Sequence, residues 1–137
     1  MPPVDCVEVF RASLKRCLAE ANFLLDFYGT FMASSEEVRE KFRHTDLKRQ
    51  TEVLADSLWA MAVVVQGQPG SPARRNLERL AELHSRQHLG IRPGLYDQWL
   101  ECLVASARRH DPRFSAEVEQ AWRETLAVGI ELLRSGY

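Results

Sequence analysis

Cysteine is scarce in this 137-residue sequence, which has only Cys6, Cys17 and Cys102. Their odd number, wide scatter and lack of a CxxC spacing exclude a zinc ribbon or a redox dithiol, and they predict reduced, structural thiols. Cys102 falls within the apolar helical segment Trp99 to Val104, where cysteine behaves as a small hydrophobe. An excess of charge of either sign is missing too. With 18 Lys and Arg against 19 Asp and Glu, the net charge is −1, so no overall field draws the chain toward nucleic acid or anionic lipid. Long hydrophobic runs are absent: the longest, Met61 to Val65 with its neighbours, falls far short of the roughly 20 residues that cross a bilayer. The N-terminus MPPVDCVEVF lacks the basic segment and apolar stretch of a secretion signal. The expectation is a cytoplasmic protein, with neither nucleic acid nor membrane as a partner. Internal repeats, low-complexity tracts and the apolar/polar alternation of half-buried strands are likewise missing. No GxGxxG joins a strand to a helix, which excludes a dinucleotide-binding unit of that kind.

What remains is helical periodicity along nearly the whole chain, at 45% hydrophobic and 27% charged residues, an ordinary globular composition. The expected fold class is all-α, in one domain over residues 1–137. Ser34 with Glu37 reads as a capping box, Ser71 before Pro72 as an N-cap with proline in the first helical turn, and Pro93 after Gly90 repeats that device. Asp111, Pro112 and Ser115 mark the last break. These signals predict helices near 4 to 19, 20 to 33, 35 to 42, 46 to 66, 72 to 88, 93 to 109 and 115 to 134. Such unequal lengths argue against a symmetric up-down bundle and for an irregular helical stack around a cavity. The linker-like stretch GQPGSP is too short to separate domains.

Four polar residues sit on faces that helical periodicity assigns to the interior. In NLERLAELHSRQHLGIRPGLY the stripe runs Leu77, Leu80, Ala81, His84, His88. A buried imidazole needs a partner for its ring nitrogens; a metal is one candidate and a hydrogen-bonding neighbour in the core is another. In FLLDFYGTFMA the polar-tipped aromatic is Tyr28, tied to a backbone carbonyl or aimed into a cavity. Gln50 heads the stripe Gln50, Leu54, Leu58, Met61, either with its amide in water or turned inward. His44, in the connection RHTDLKR, is expected in solvent, with the pocket mouth as the alternative, and His110, beside Arg108, Arg109 and Asp111, is expected to be a plain surface residue.

Taken in order, Tyr28 in FYGTF, Phe42 in VREKF, Gln50 and Leu54 in LKRQTEVL, His84 in LAELHSRQHLGI, and the segments RPGLYDQWL and VEQAWRETLAVGI resemble the globin family. Among its members the chain is similar to bacterial single-domain globins and the haem domain of flavohaemoglobins. The resemblance implies a globin fold of about seven helices holding haem b and its iron. It makes His84 the proximal iron ligand, with Phe42 stacked on the macrocycle and Leu54, Leu80, His88 and Tyr96 also against the cofactor. Tyr28 and Gln50 become the distal polar pair and Leu54 a distal apolar wall, around dioxygen, nitric oxide or carbon monoxide. Between the two histidines of the stripe, His84 is preferred because Leu80 and Ala81 flank it on the core side, whereas His88 is followed at once by the helix end and suits a solvent rim.

Two features depart from the flavohaemoglobin pattern: the connection from Phe42 to Gln50 is shorter, and the segment from His84 to Tyr96 is longer by two residues. The acidic partner of the proximal histidine has only Glu131 as a nearby candidate. The functions implied are reversible gas binding for storage or sensing, or nitric oxide dioxygenation. The latter would depend on an external reductase, because no flavin or nicotinamide domain is expected after Tyr137. A homodimer is open to it. The rival class is a haem-free helical interaction domain in which His84 and Tyr28 satisfy each other or the backbone.

Overall fold

The computed structural model describes residues 4–66, 70–84 and 91–135. Its helices are α1 (Val4–Leu18), α2 (Phe23–Ser34), α3 (Glu36–Lys41), α4 (Leu47–Gln66), α5 (Pro72–His84), α6 (Gly94–His110) and α7 (Ala116–Ser135), and no strand occurs among the described residues. The all-α expectation holds, and each expected helix is found. The expected continuation of α5 to residue 88 lies outside the described residues.

Local chemistry accounts for the helix starts. Ser71 Oγ accepts from the Arg74 backbone N–H at 3.2 Å, just ahead of Pro72. Ser115 caps α7 in the same way through Val118 at 3.3 Å, and the Asp46 carboxylate accepts from the first N–H groups of α4. These are the donors a helix cannot satisfy by itself. Two expectations are corrected. The cap of α3 is Ser35, whose Oγ accepts from Val38 N at 3.1 Å. Ser34 still belongs to α2 and turns its hydroxyl back to the Phe31 carbonyl at 2.6 Å, while Glu37 pairs with Arg92. The second helix starts at Phe23 rather than residue 20, because Glu20 N and Phe23 N take three-residue bonds to Cys17 and Glu20 that tighten the chain into a turn.

α2 lies on α6, α1 on α7, α4 on both α5 and α7, and α5 also on α7, with short α3 carrying the chain from α2 to α4. The interior is apolar and aromatic. Trp122 of α7 meets Phe10 of α1 edge-on at 4.9 Å, and both are fully buried along with Phe23 and Phe27 of α2. Each such side chain contributes about 1.5–3 kcal/mol through burial. One polar knot interrupts this core where α1, α6 and α7 meet. Trp122 Nε1 donates to Ser13 Oγ at 2.9 Å, Ser13 donates to Asp111 Oδ2 at 2.6 Å, and Arg16 grips both carboxylate oxygens. The three cysteines are free thiols.

Candidate functional site

Between α2, α3 and α4 and the elements from α5 to α7, the packing leaves a cavity of about 330 Å³. Its walls are mostly apolar, with a few polar groups converging on the space, the usual composition of a small-molecule site. Tyr28, Phe42, Gln50, Leu54, Leu80, His84 and Tyr96, scattered over 69 positions of sequence, all line it. His88 lies outside the described residues. His44 is exposed and is not part of the lining, which at that connection is supplied by Thr45.

His84 ends the described part of α5, with Leu77 and Ala81 of the same face buried beneath it. Its Nδ1 stands 3.1 Å from the Tyr96 hydroxyl, and the two rings are near parallel with centroids 6.3 Å apart. Burial pushes the imidazole down to about 4, so at neutral pH the ring is uncharged and one nitrogen carries a lone pair. With Nδ1 tied to Tyr96, Nε2 is the nitrogen through which this ring could bind a metal. Burial lifts the Tyr96 phenol to about 12, against a small opposing pull from Arg134, so the group behind the imidazole is a neutral phenol. Arg134 is itself held by Asp97 at 2.9 Å.

Tyr28, from the middle of α2, is almost fully buried, and burial raises its phenol well above the usual range despite the bond to Gln50. Its hydroxyl donates to the backbone carbonyl of Gln50 at 3.4 Å, a long bond. Both alternatives expected for a buried phenol are thus realised together: Tyr28 is tied to a carbonyl and also faces the cavity. Phe42 lies edge-on to Tyr28 at 5.4 Å and to Phe31 at 6.1 Å, forming an aromatic corner at the end of α3.

The expected inward stripe of α4 is observed: Leu54, Leu58 and Met61 are all buried. Gln50, Leu54 and Met61 also reach the cavity, together with Ser57 from the neighbouring face, while Leu58 packs in the core away from the lining. Met61 was visible from that stripe. Trp99 and Leu133 were not, since their place in the wall depends on how α6 and α7 cross the others. Glu131 does not face the cavity. It is exposed and lines an open groove with Arg74 and Leu132, so it does not supply the acidic partner for His84. His110 requires a correction as well. It is not a plain surface residue: its Nε2 is 3.1 Å from Asp26 Oδ2, and its ring meets Phe23 edge-on at 5.9 Å. Burial works to raise the Asp26 carboxyl, yet hydrogen bonds from Arg109 and His110 outweigh it and hold the group below its usual range.

Among the described residues, no three His, Cys, Asp or Glu side chains gather to hold a bare metal ion. A lone neutral imidazole at an apolar cavity fits instead a metal that arrives with most of its ligands already in place. Among the described residues, no helix is long and apolar enough to cross a membrane.

The family model for Globin matches residues 25–131 of the chain. A crystal structure of a Pseudomonas aeruginosa PAO1 protein, described as structurally highly homologous to a human hemoglobin, aligns with a TM-score of 0.90. It is 36% identical and covers 96% of this chain and 98% of its own. The comparison with curated proteins returned no match.

Proposed function

This chain belongs to the globin family, and from that premise we propose that it holds haem b in the cavity and binds a diatomic gas there reversibly. Dioxygen is the foremost ligand, with nitric oxide and carbon monoxide as further ones. The observation that carries the reading is the half-buried, neutral His84 at the wall of a 330 Å³ cavity, its Nδ1 engaged by Tyr96. The donor set fits the cofactor. Nε2 of His84 would hold the iron, and Phe42, Leu54, Leu80 and Tyr96 would lie against the ring. Haem iron held by one imidazole supplies an open coordination position for a small gas.

The chain's own residues do the rest. In the tautomer protonated at Nδ1, His84 would donate to the Tyr96 oxygen and leave the Nε2 lone pair available to a metal. Tyr28 can turn its O–H from the long bond to Gln50 toward a polar occupant, and the Gln50 amide offers a second donor from the head of α4. Leu54, Phe31 and Met61 keep bulk water from that space.

The neutral phenol behind His84, and the position of Glu131 on the far groove, favour gas binding for storage or sensing over oxygen activation. A carboxylate partner would make the imidazole a stronger electron donor, and Tyr96 does not. Nitric oxide dioxygenation would require electrons from a reductase.

The test is spectroscopic. Protein supplied with haem is expected to show an intense Soret band that moves on reduction and again with carbon monoxide, and His84→Ala is expected to lose the iron–histidine signature. A chain that stays colourless and ignores haem overturns the proposal and leaves a helical interaction domain in its place.

A further inference from the structure

Gly129 sits in the interior of α7, a 20-residue helix, where glycine is about 1 kcal/mol less favourable than alanine. Its surroundings show what the missing side chain makes room for. A Cβ at this position would stand 2.6 Å from Met61 Cγ and 2.7 Å from its sulfur, so the thioether of α4 lies in the notch that Gly129 leaves. Met61 is almost fully buried, and it is at the same time part of the cavity wall, as is Leu133 one turn further along α7. The side chain is thus bounded by α7 backbone on one side and by open space on the other. Methionine is unbranched and adapts its shape readily, so it moves at lower cost than leucine or isoleucine would.

We propose that Met61, seated in the notch of Gly129, is the movable inner wall of the cavity, and that this pair sets how large an occupant the site accepts. A methyl group at position 129 has no space to enter unless Met61 shifts. The helix backbones of α4 and α7 are packed, so the direction left for the thioether is into the cavity. The inference deepens the reading of the cavity as a ligand site, but it concerns the wall and not the identity of the cofactor.

The experiment measures xenon binding by ¹²⁹Xe NMR on the purified chain, in whatever haem state it is obtained, with the Soret band recorded alongside. Gly129→Ala is expected to weaken xenon binding by about fourfold, the equivalent of one methylene of apolar contact. Met61→Ala is expected to strengthen it, and Gly129→Ala with Met61→Ala to recover at least the parental affinity. In haem-loaded protein, Gly129→Ala is expected to discriminate against longer alkyl isocyanides more than against carbon monoxide. Unchanged xenon affinity in Gly129→Ala, or no recovery in the double variant, overturns the proposal. Should Gly129→Ala fail to fold, Met61→Ala alone decides, because an affinity equal to the parent removes Met61 from the wall. A chain without a Soret band whose xenon affinities follow the expected order sinks the haem reading and sustains this one.

Discussion

Where α1, α6 and α7 meet, Asp111 accepts hydrogen bonds from Ser13, Arg16 and the Arg113 backbone, and Ser13 in turn accepts one from Trp122. At the cavity, His84 meets one neutral phenol and Tyr28 makes one long bond to a carbonyl. Both regions take polar groups out of water, and both bear that desolvation cost. The knot offsets it entirely inside the fold. The cavity groups keep hydrogen-bonding and ligating capacity directed at a space, capacity that the proposed occupant would use. Between these two regions, the difference is whether the partners of the polar groups are already present in the fold.

Breaking the knot is expected to have the largest effect. Asp111→Ala strands the partly buried Arg16 and leaves Ser13 without its acceptor, a loss of about 3–5 kcal/mol typical of a broken buried pair. Urea unfolding measures it, and haem bound to the folded fraction should keep its spectrum. If His84→Ala costs the haem-free chain as much as Asp111→Ala, the two regions do not differ in the way described.

Acid sharpens the contrast, because the two regions respond in different windows. The folded state holds His84 at about 4, below its unfolded value of about 6.5. The unfolded chain therefore binds the extra proton first, and stability is full above about pH 6.5 and falls by about 3 kcal/mol as pH drops toward 4. For Asp111, burial acts to raise the carboxyl, but Arg16 and Ser13 outweigh it and hold it below the usual range. Its contribution is thus intact above about pH 4 and is lost only as pH falls below that. In the haem-free chain, His84→Leu should flatten the upper window and leave the lower one. A slope between pH 6.5 and 4 unchanged by that substitution would assign it to other groups.

A smaller effect is expected from Tyr28→Phe, which removes the phenol donor and keeps the ring. Oxygen dissociation should quicken roughly ten- to a hundredfold, as one hydrogen bond to a partly charged ligand is worth about 1.5–3 kcal/mol. Carbon monoxide should respond less. Flash photolysis of both gases checks this, and equal changes would make Tyr28 a wall and not a donor. The smallest expected effect separates two adjacent serines: Ser35→Ala should cost about 1 kcal/mol through the lost cap of α3, and Ser34→Ala clearly less.

Those serines show the limit of reading ends from sequence. Ser34 and Ser35 offer the same chemistry one residue apart, and only the length of α2 decides which hydroxyl meets an orphan N–H. Tyr28, Gln50 and His84 were legible because each breaks the apolar pattern of its own helix. His110 was misread because its partner, Asp26, lies 84 positions away on α2. Ser57 was not legible as part of the wall, because a cavity can reach past the edge of the buried face of α4.

Periodicity, caps and the odd polar residues determined by themselves that the chain is all-α, where its helices run, and which side chains are out of place in a core. These depend on neighbours within about one helical turn, and the sequence displays them directly. Only the tertiary structure decided that the out-of-place residues share one cavity, that a phenol and not a carboxylate stands behind His84, and that Met61 lies over Gly129. Those outcomes depend on how helices far apart in sequence cross, which is set by the packing of all their side chains at once, and no local pattern contains that angle.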